Sequence, residues 1–336
     1  MSVDAAAPAH DSAHRMSPLA LAGAPIPRVI LGTSNVGSVA PDALVSTANR
    51  EAAFRYLDSM LEAGCSAFDI AASYQLGGTE RIIGHWLASR RNRARLFLIT
   101  KGGHPYPIVQ PRRLTPKALR ADLDDSLRRL QTDQVDLYLL HRDDPGSPLE
   151  PILESLVSFQ RQGHIKAWGV SNWSHERIAA LGALASAAGL PPVAASSPHF
   201  SLAEWASVPW KGCVSIAGDA NRDARAFYAR TQLPVLAWSP LGRGFFSGDG
   251  GKKDQETYAI PANFARRQRA EKLASKYEMT AANIALAYLF SQPFPVFAVV
   301  AASTAEKMKN NLAATTLRLP KSEVRWLESG EAPFPE

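Results

Sequence analysis

Three observations predict an α/β fold closed as a TIM (β/α)8 barrel. The chain has 336 residues, 46% of them hydrophobic and 20% charged, enough to bury one large core. Closed α/β barrels commonly use about 250 residues as a single domain. Short β-rich runs alternate with longer helical patterns, in strict order and eight times over, which favours parallel strands joined by helices. No G-x-G-x-x-G follows the first run and no G-x-x-x-x-G-K-[ST] occurs anywhere, so neither an open dinucleotide-binding sheet nor a phosphate-loop enzyme is supported.

The first strand is RVILG at 28–32, followed by a helix over 46–64 that stops at Gly64. SAFDI at 66–70 pairs with a helix over 79–89. LFLIT at 96–100 leads into 114–130, where Thr115 can cap the helix and Pro116 can occupy its first turn. VDLYLLH at 135–141 precedes a helix at 149–163, and HIKAWGV at 164–170 precedes one at about 174–187. A sixth strand within 192–197 is weaker, because small residues replace β-branched ones. A long stretch at 198–220, with Trp205 and Trp210, separates it from a short helix near 222–231. LPVLAW at 233–238 is followed by helices within 263–277 and 280–291, and VFAVVA at 296–301 with the helical run 304–314 completes eight pairs. The barrel domain is therefore expected over 26–336, with long substrate-side loops, at 102–113 and 198–220, and a C-terminal segment. Residues 1–25, rich in Ala and Pro and without a periodic apolar face, read as a flexible leader.

Composition narrows the function classes. Only Cys65 and Cys213 occur, in neither a metal-binding nor a disulfide pattern, so no metal is expected and a reducing cytoplasmic setting is the default. The formal charge is +6, with local basic clusters at Arg90, Arg91, Arg93 and Arg95 and again at Arg266, Arg267, Arg269 and Lys272. Such clusters suit exposed helix faces, and no aromatic and basic platform accompanies them, so no nucleic-acid partner is expected. No apolar run approaches a membrane span, and no membrane partner is expected. Oligomeric state is not legible.

In a barrel of this kind, functional groups collect at the C-terminal ends of the strands. Asp69, Tyr74 just beyond it, Lys101 directly after LFLIT and His141 directly after LYLL lie at three consecutive strand exits. Reducing a carbonyl requires a hydride donor and an acid that protonates the oxygen. Tyr74 can be that acid, with Lys101 favouring phenolate and Asp69 holding Lys101 charged. His141 can orient the substrate oxygen. Taken singly, the same residues also fit a structural ion pair, a rim tyrosine and a non-catalytic histidine. The glycine-rich stretch of Gly242, Gly244, Gly248, Gly250 and Gly251 fits a mobile loop or a ligand-binding one.

The chain resembles an aldo-keto reductase through GTSNVG at 32–37, DIAASY at 69–74, TKGG at 100–103, DLYLLH at 136–141, IKAWGVSN at 165–172 and LAWSPLGRGFFSG at 236–248. The resemblance implies that Asp69, Tyr74, Lys101 and His141 are the catalytic group. It also implies a nicotinamide cofactor, NADPH/NADP+ in preference to NADH/NAD+. Ser171 and Asn172 would meet the nicotinamide carboxamide, with Ser197 standing where glutamine is common. Trp238 would face the ring, and the run Ser239, Pro240, Leu241, Gly242, Arg243 and Gly244 would meet the pyrophosphate. Ser303, Thr304, Lys307 and Asn311 would hold the far phosphate at a helix N-terminus, although the Pro-Gly or Lys-Ser pair often found before that helix is missing. The partner is then a small-molecule carbonyl or alcohol.

Alternatives remain at this level. The same site could oxidise a sugar or secondary alcohol, with Asp143 and Asp144 gripping hydroxyls. A nucleotide-sensing interaction protein is a different class, and a metal-dependent hydrolase is poorly served by Asp69, Lys101 and Tyr74.

Overall fold

The computed structural model describes residues 19–41, 44–105, 113–251 and 256–331. Eight parallel strands close a barrel: β3 (Val29–Gly32), β4 (Ala67–Asp69), β5 (Phe97–Gly102), β6 (Val135–Leu140), β7 (Ile165–Ser171), β8 (Ser196–Ser197), β9 (Val235–Trp238) and β10 (Val296–Val300), which returns to β3. The strand order follows the chain, as the alternating pattern predicts. The sixth barrel strand is reduced to two residues. Pro191, Pro192 and Pro198 flank it, and proline cannot donate to a ladder.

Ten helices surround or adjoin the strands: α1 (Thr47–Glu62), α2 (Gly78–Arg90), α3 (Pro116–Leu130), α4 (Leu149–Arg161), α5 (His175–Ala187), α6 (Arg222–Thr231), α7 (Pro261–Lys276), α8 (Ala281–Phe290), α9 (Ala305–Ala313) and α10 (Lys321–Ser329) among the described residues. Ser46, Thr115, Ser174, Thr280 and Thr304 each accept a first-turn backbone N–H and so fix helix starts. Among the described residues no helix is long and apolar enough to cross a membrane.

The reading of residues 1–25 as a flexible leader needs correction over its last part. Residues 19–26 form an antiparallel hairpin, β1 (Leu19–Leu21) and β2 (Ala24–Ile26), turned through Ala22 and Gly23 at φ 51° and 79°. Leu21 and Ile26 are buried against Ile30, Ala67, Phe97 and Ile99 and so stopper the N-terminal end of the barrel. Residues 1–18 lie outside the described residues.

The strands carry two cores. Phe68, Leu98, Tyr138, Leu140, Trp168, Val170, Val235 and Ala298 face the helices. Ile30, Ala67, Ile99, Leu137, Leu139, Ala195, Leu236 and Phe297 fill the barrel interior. This two-residue alternation aims the site. One pleat beyond Ala67, Ile99, Leu139, Gly169, Ala195 and Leu236 stand Asp69, Lys101, His141, Ser171, Ser197 and Trp238, so all six fall on the inward side at the C-terminal mouth.

Candidate active site at the barrel mouth

The four residues singled out at the strand exits come together. Lys101 Nζ donates to Asp69 Oδ2 at 2.7 Å, to the Ile70 carbonyl at 3.0 Å and to Tyr74 Oη at 3.1 Å. Tyr74 Oη lies 3.5 Å from the same Asp69 oxygen. The His141 ring meets the Tyr74 ring edge-on, with centroids 5.8 Å apart, and its Nδ1 is 3.2 Å from Ser73 Oγ. Tyr74 is held by a short 3-10 turn, Tyr74–Gly77, in which Gln75 and Leu76 adopt left-handed φ of 49° and 52°. That conformation costs roughly 1–2 kcal/mol per residue. Gln75 Nε2 offsets part of it by donating to the Ser34 carbonyl at 3.0 Å.

Asp69 and Lys101 are each only 3% exposed. Burial is the largest influence on the Asp69 carboxyl and raises it against the pull of Lys101. Burial alone would depress Lys101, but Asp69 and then Tyr74 outweigh it and hold the ammonium above its ordinary range. Neutralising either partner would leave the other charge buried without compensation, so the contact geometry favours the ionised pair. Tyr74 is raised, because burial outweighs the lowering by Lys101. The sequence expectation that Lys101 favours phenolate thus gives the right sign for that one influence, while the sum keeps the proton on. His141 is pushed well below its ordinary value, first by burial and then by Lys101, so it is neutral at neutral pH.

These groups form one end of a cleft of about 1420 Å³. The cleft wall includes Ser171, Asn172, Ser197, Trp238, Ser239, Pro240, Leu241, Arg243, Gly244, Ser303, Lys307 and Asn311. Gly242 and Thr304 are the two expected cofactor residues that do not line it. Gly242 instead takes a left-handed φ of 59° within the turn, and Thr304 caps α9 by accepting the Lys307 N–H at 3.2 Å.

The remaining polar groups are partly committed to one another. Asn172 Nδ2 donates to the His141 carbonyl and to Ser171 Oγ, at 3.3 and 3.0 Å, while its Oδ1 accepts from Val214 N at 3.3 Å. Ser171 Oγ donates to the Ser197 carbonyl and Ser197 Oγ to the Leu236 carbonyl, both at 2.9 Å. Trp238 is backed by His199 and Trp205, with centroids at 5.1 and 5.6 Å. Arg243 stacks its guanidinium 4.9 Å over the Trp210 ring. Lys307 Nζ reaches Asp249 Oδ2 at 2.6 Å, bridging α9 to the glycine-rich loop.

Several wall residues were not named individually as site residues from the sequence, although His104 and Trp210 lie in the inserts at 102–113 and 198–220 read as substrate-side loops. Ser73, His104 and Arg142 line the cleft at or next to His141, and Trp210 lines it beside Trp238 and Arg243. Arg142 immediately follows His141, so the strand exit itself was the available signal. Asp143 and Asp144, expected as possible hydroxyl ligands, turn elsewhere. Asp143 Oδ1 accepts from Arg177 Nε at 2.8 Å, and the Asp144 carboxylate accepts from Gly146 N and Ser147 Oγ at 3.2 and 2.8 Å. Of the insert at 102–113, residues 106–112 lie outside the described residues.

The aldo/keto reductase family profile matches residues 28–331. The chain belongs to the aldo/keto reductase family. This aldo/keto reductase is 29% identical over 323 residues to norsolorinic acid reductase A of Aspergillus parasiticus, covering 93% of this chain and 79% of the relative. Its fold matches a thermostable aldo-keto reductase solved with the inhibitor epalrestat, at 26% identity and a TM-score of 0.72, covering 94% of this chain and 99% of the other. It also matches an aldo-keto reductase from Klebsiella pneumoniae solved with NADPH, at 25% identity and a TM-score of 0.69, covering 93% of this chain and 94% of the other. Family membership makes the protein an oxidoreductase, and carbonyl reduction with a nicotinamide cofactor is the chemistry typical of that family.

Proposed function

We propose that the protein reduces an aldehyde or ketone to the alcohol with NADPH, and that Tyr74 delivers the proton. The observation that carries this reading is the position of Lys101 Nζ, within hydrogen-bonding distance of both Asp69 Oδ2 and Tyr74 Oη. A buried phenol kept protonated beside an ammonium can donate a proton and then have its developing negative charge stabilised. Asp69 maintains the ammonium. If Ser73 Oγ donates to His141 Nδ1, the neutral ring carries its proton on Nε2 and can direct it at the substrate oxygen.

The cleft fits the cofactor on three counts. It is large enough for a dinucleotide and a substrate together. Trp238 offers an aromatic wall in the same cleft as Tyr74, and the first turn of α9, beside Lys307, suits a phosphate. When bound, the cofactor supplies the hydride. Ser171, Asn172 and Ser197 would position its carboxamide, residues 239–244 its pyrophosphate, and Ser303, Lys307 and Asn311 its remaining phosphate. Lys307 favours NADPH, and a relative solved with NADPH supports the same preference.

Reduction and alcohol oxidation share one transition state, so the site serves either direction. The inward carboxylates that would grip a polyol are not provided by Asp143 and Asp144. The test is loss of reduced-cofactor absorbance during a screen of aldehydes, diketones, keto-sugars and hydrophobic ketones. Tight NADPH binding with no consumption across that panel would overturn carbonyl reduction and favour a nucleotide-sensing protein.

A further inference from the structure

The HRDDPGS loop sorts its three charges unequally. Asp143 and Asp144 are taken up by Arg177, Gly146 and Ser147, whereas Arg142 lines the cleft. Its Nη1 donates to Cys213 Sγ at 3.0 Å, a neutral and weak acceptor. Among the described residues Arg142 pairs with no carboxylate.

Among the described residues that line the cleft, the carboxylates of Asp69, Asp249 and Glu271 are each paired with another cation, Lys101, Lys307 and Arg267 respectively. Asp69 is engaged by Lys101 at 2.7 Å. His141 is neutral, and His104, whose ring meets His141 edge-on at 4.9 Å, is lowered by burial first and then by Arg142. Lys101 and Asp69 cancel each other, whereas Arg142 lines the same cleft without a carboxylate partner among the described residues. A guanidinium held in a partly enclosed wall, with spare N–H donors in a planar fork, matches a carboxylate better than a neutral group.

We propose that the carbonyl substrate carries a carboxylate, bound by Arg142 while Tyr74 and His141 engage the carbonyl oxygen. This inference rests on the reductase reading and assigns the substrate class of the same site. Arg142 is then a specificity-determining residue. It acts on binding of the acid and has no part in the proton transfer.

The experiment compares 3-carboxybenzaldehyde with its neutral isostere 3-carbamoylbenzaldehyde, following NADPH consumption by the whole protein. The expected result is a preference for the acid of about tenfold or more in kcat/KM, carried by KM and eroded by salt. Arg142→Gln should bring the ratio close to unity, and Arg142→Lys should retain part of it. NADPH titration by tryptophan fluorescence shows that each variant is folded. Equal use of acid and amide by the wild-type protein, or an unchanged ratio in Arg142→Gln, overturns the assignment and leaves the reductase reading standing. Failure to reduce either compound or any neutral aldehyde overturns both.

Discussion

Lys307 on the first turn of α9 and Asp249 in the glycine-rich loop after β9 form an ion pair at 2.6 Å across one end of the cleft. Lys307 hydrogen bonding is the largest influence holding the Asp249 carboxyl below its ordinary range. A phosphate arriving at α9 would therefore compete with Asp249 for Lys307. Lys307→Ala should raise the NADPH dissociation constant by about tenfold while leaving NADH within about twofold, because only NADPH loses a charge-assisted contact. Parallel titrations of the two cofactors check this. Equal weakening of both would remove Lys307 from cofactor selection.

Tyr74→Phe removes the phenol with little change in ring volume. The variant should keep its fold and most cofactor affinity, and single-turnover hydride transfer at saturating NADPH should fall by roughly 100-fold or more. The pH profile gives an independent check. The protonated phenol is the required form for reduction, and burial raises Tyr74 above its ordinary value of 10.0. Reduction should thus be insensitive to Tyr74 through neutral pH and be lost only as pH rises through that elevated value. Near-native transfer in a folded Tyr74→Phe protein would reject Tyr74 as the acid.

His199 is fully buried, with Nδ1 2.8 Å from Ser215 Oγ and Nε2 3.1 Å from Tyr258 Oη. Burial lowers it from 6.5 to about 3. Below pH 6.5 the unfolded chain takes up a proton that the folded one refuses, so stability contributed by this residue is present above 6.5 and is lost as pH falls towards 3. The slope for one such group is about 1.4 kcal/mol per pH unit. Urea unfolding of His199→Asn should show lower stability at neutral pH but a shallower acid decline than the parent. An identical acid slope would show that His199 charges without penalty.

Gly84 lies inside α2, where alanine would ordinarily improve helix propensity by about 1 kcal/mol. A Cβ there would stand 2.1 Å from the Arg129 carbonyl oxygen and 2.8 Å from the Leu130 carbonyl carbon of α3. Backbone cannot yield as a flexible side chain can, so the clash wins. Gly84→Ala should lower stability by roughly 1–3 kcal/mol, read as a fall in the urea midpoint. A neutral or stabilising outcome would mean that α2 and α3 separate easily.

The sequence by itself determined the barrel, because helical and strand periodicities alternate eight times and each period states which face is buried. It also placed Asp69, Lys101 and His141, since a residue at the end of a parallel strand has only two directions and the pleat count selects the inward one. Local chemistry did not determine residues 19–26. Their short apolar pattern is ambiguous until Leu21 and Ile26 meet the open barrel end supplied by Ile30, Phe97 and Ile99, distant in the chain. The fate of the HRDDPGS charges was likewise undecided. Asp143 is drawn out by Arg177, 34 positions later, and Arg142 is left facing the cleft opposite Cys213, 71 positions later. Such pairings depend on which loops the closed barrel brings together, and closure is a property of the whole sheet that no single segment encodes.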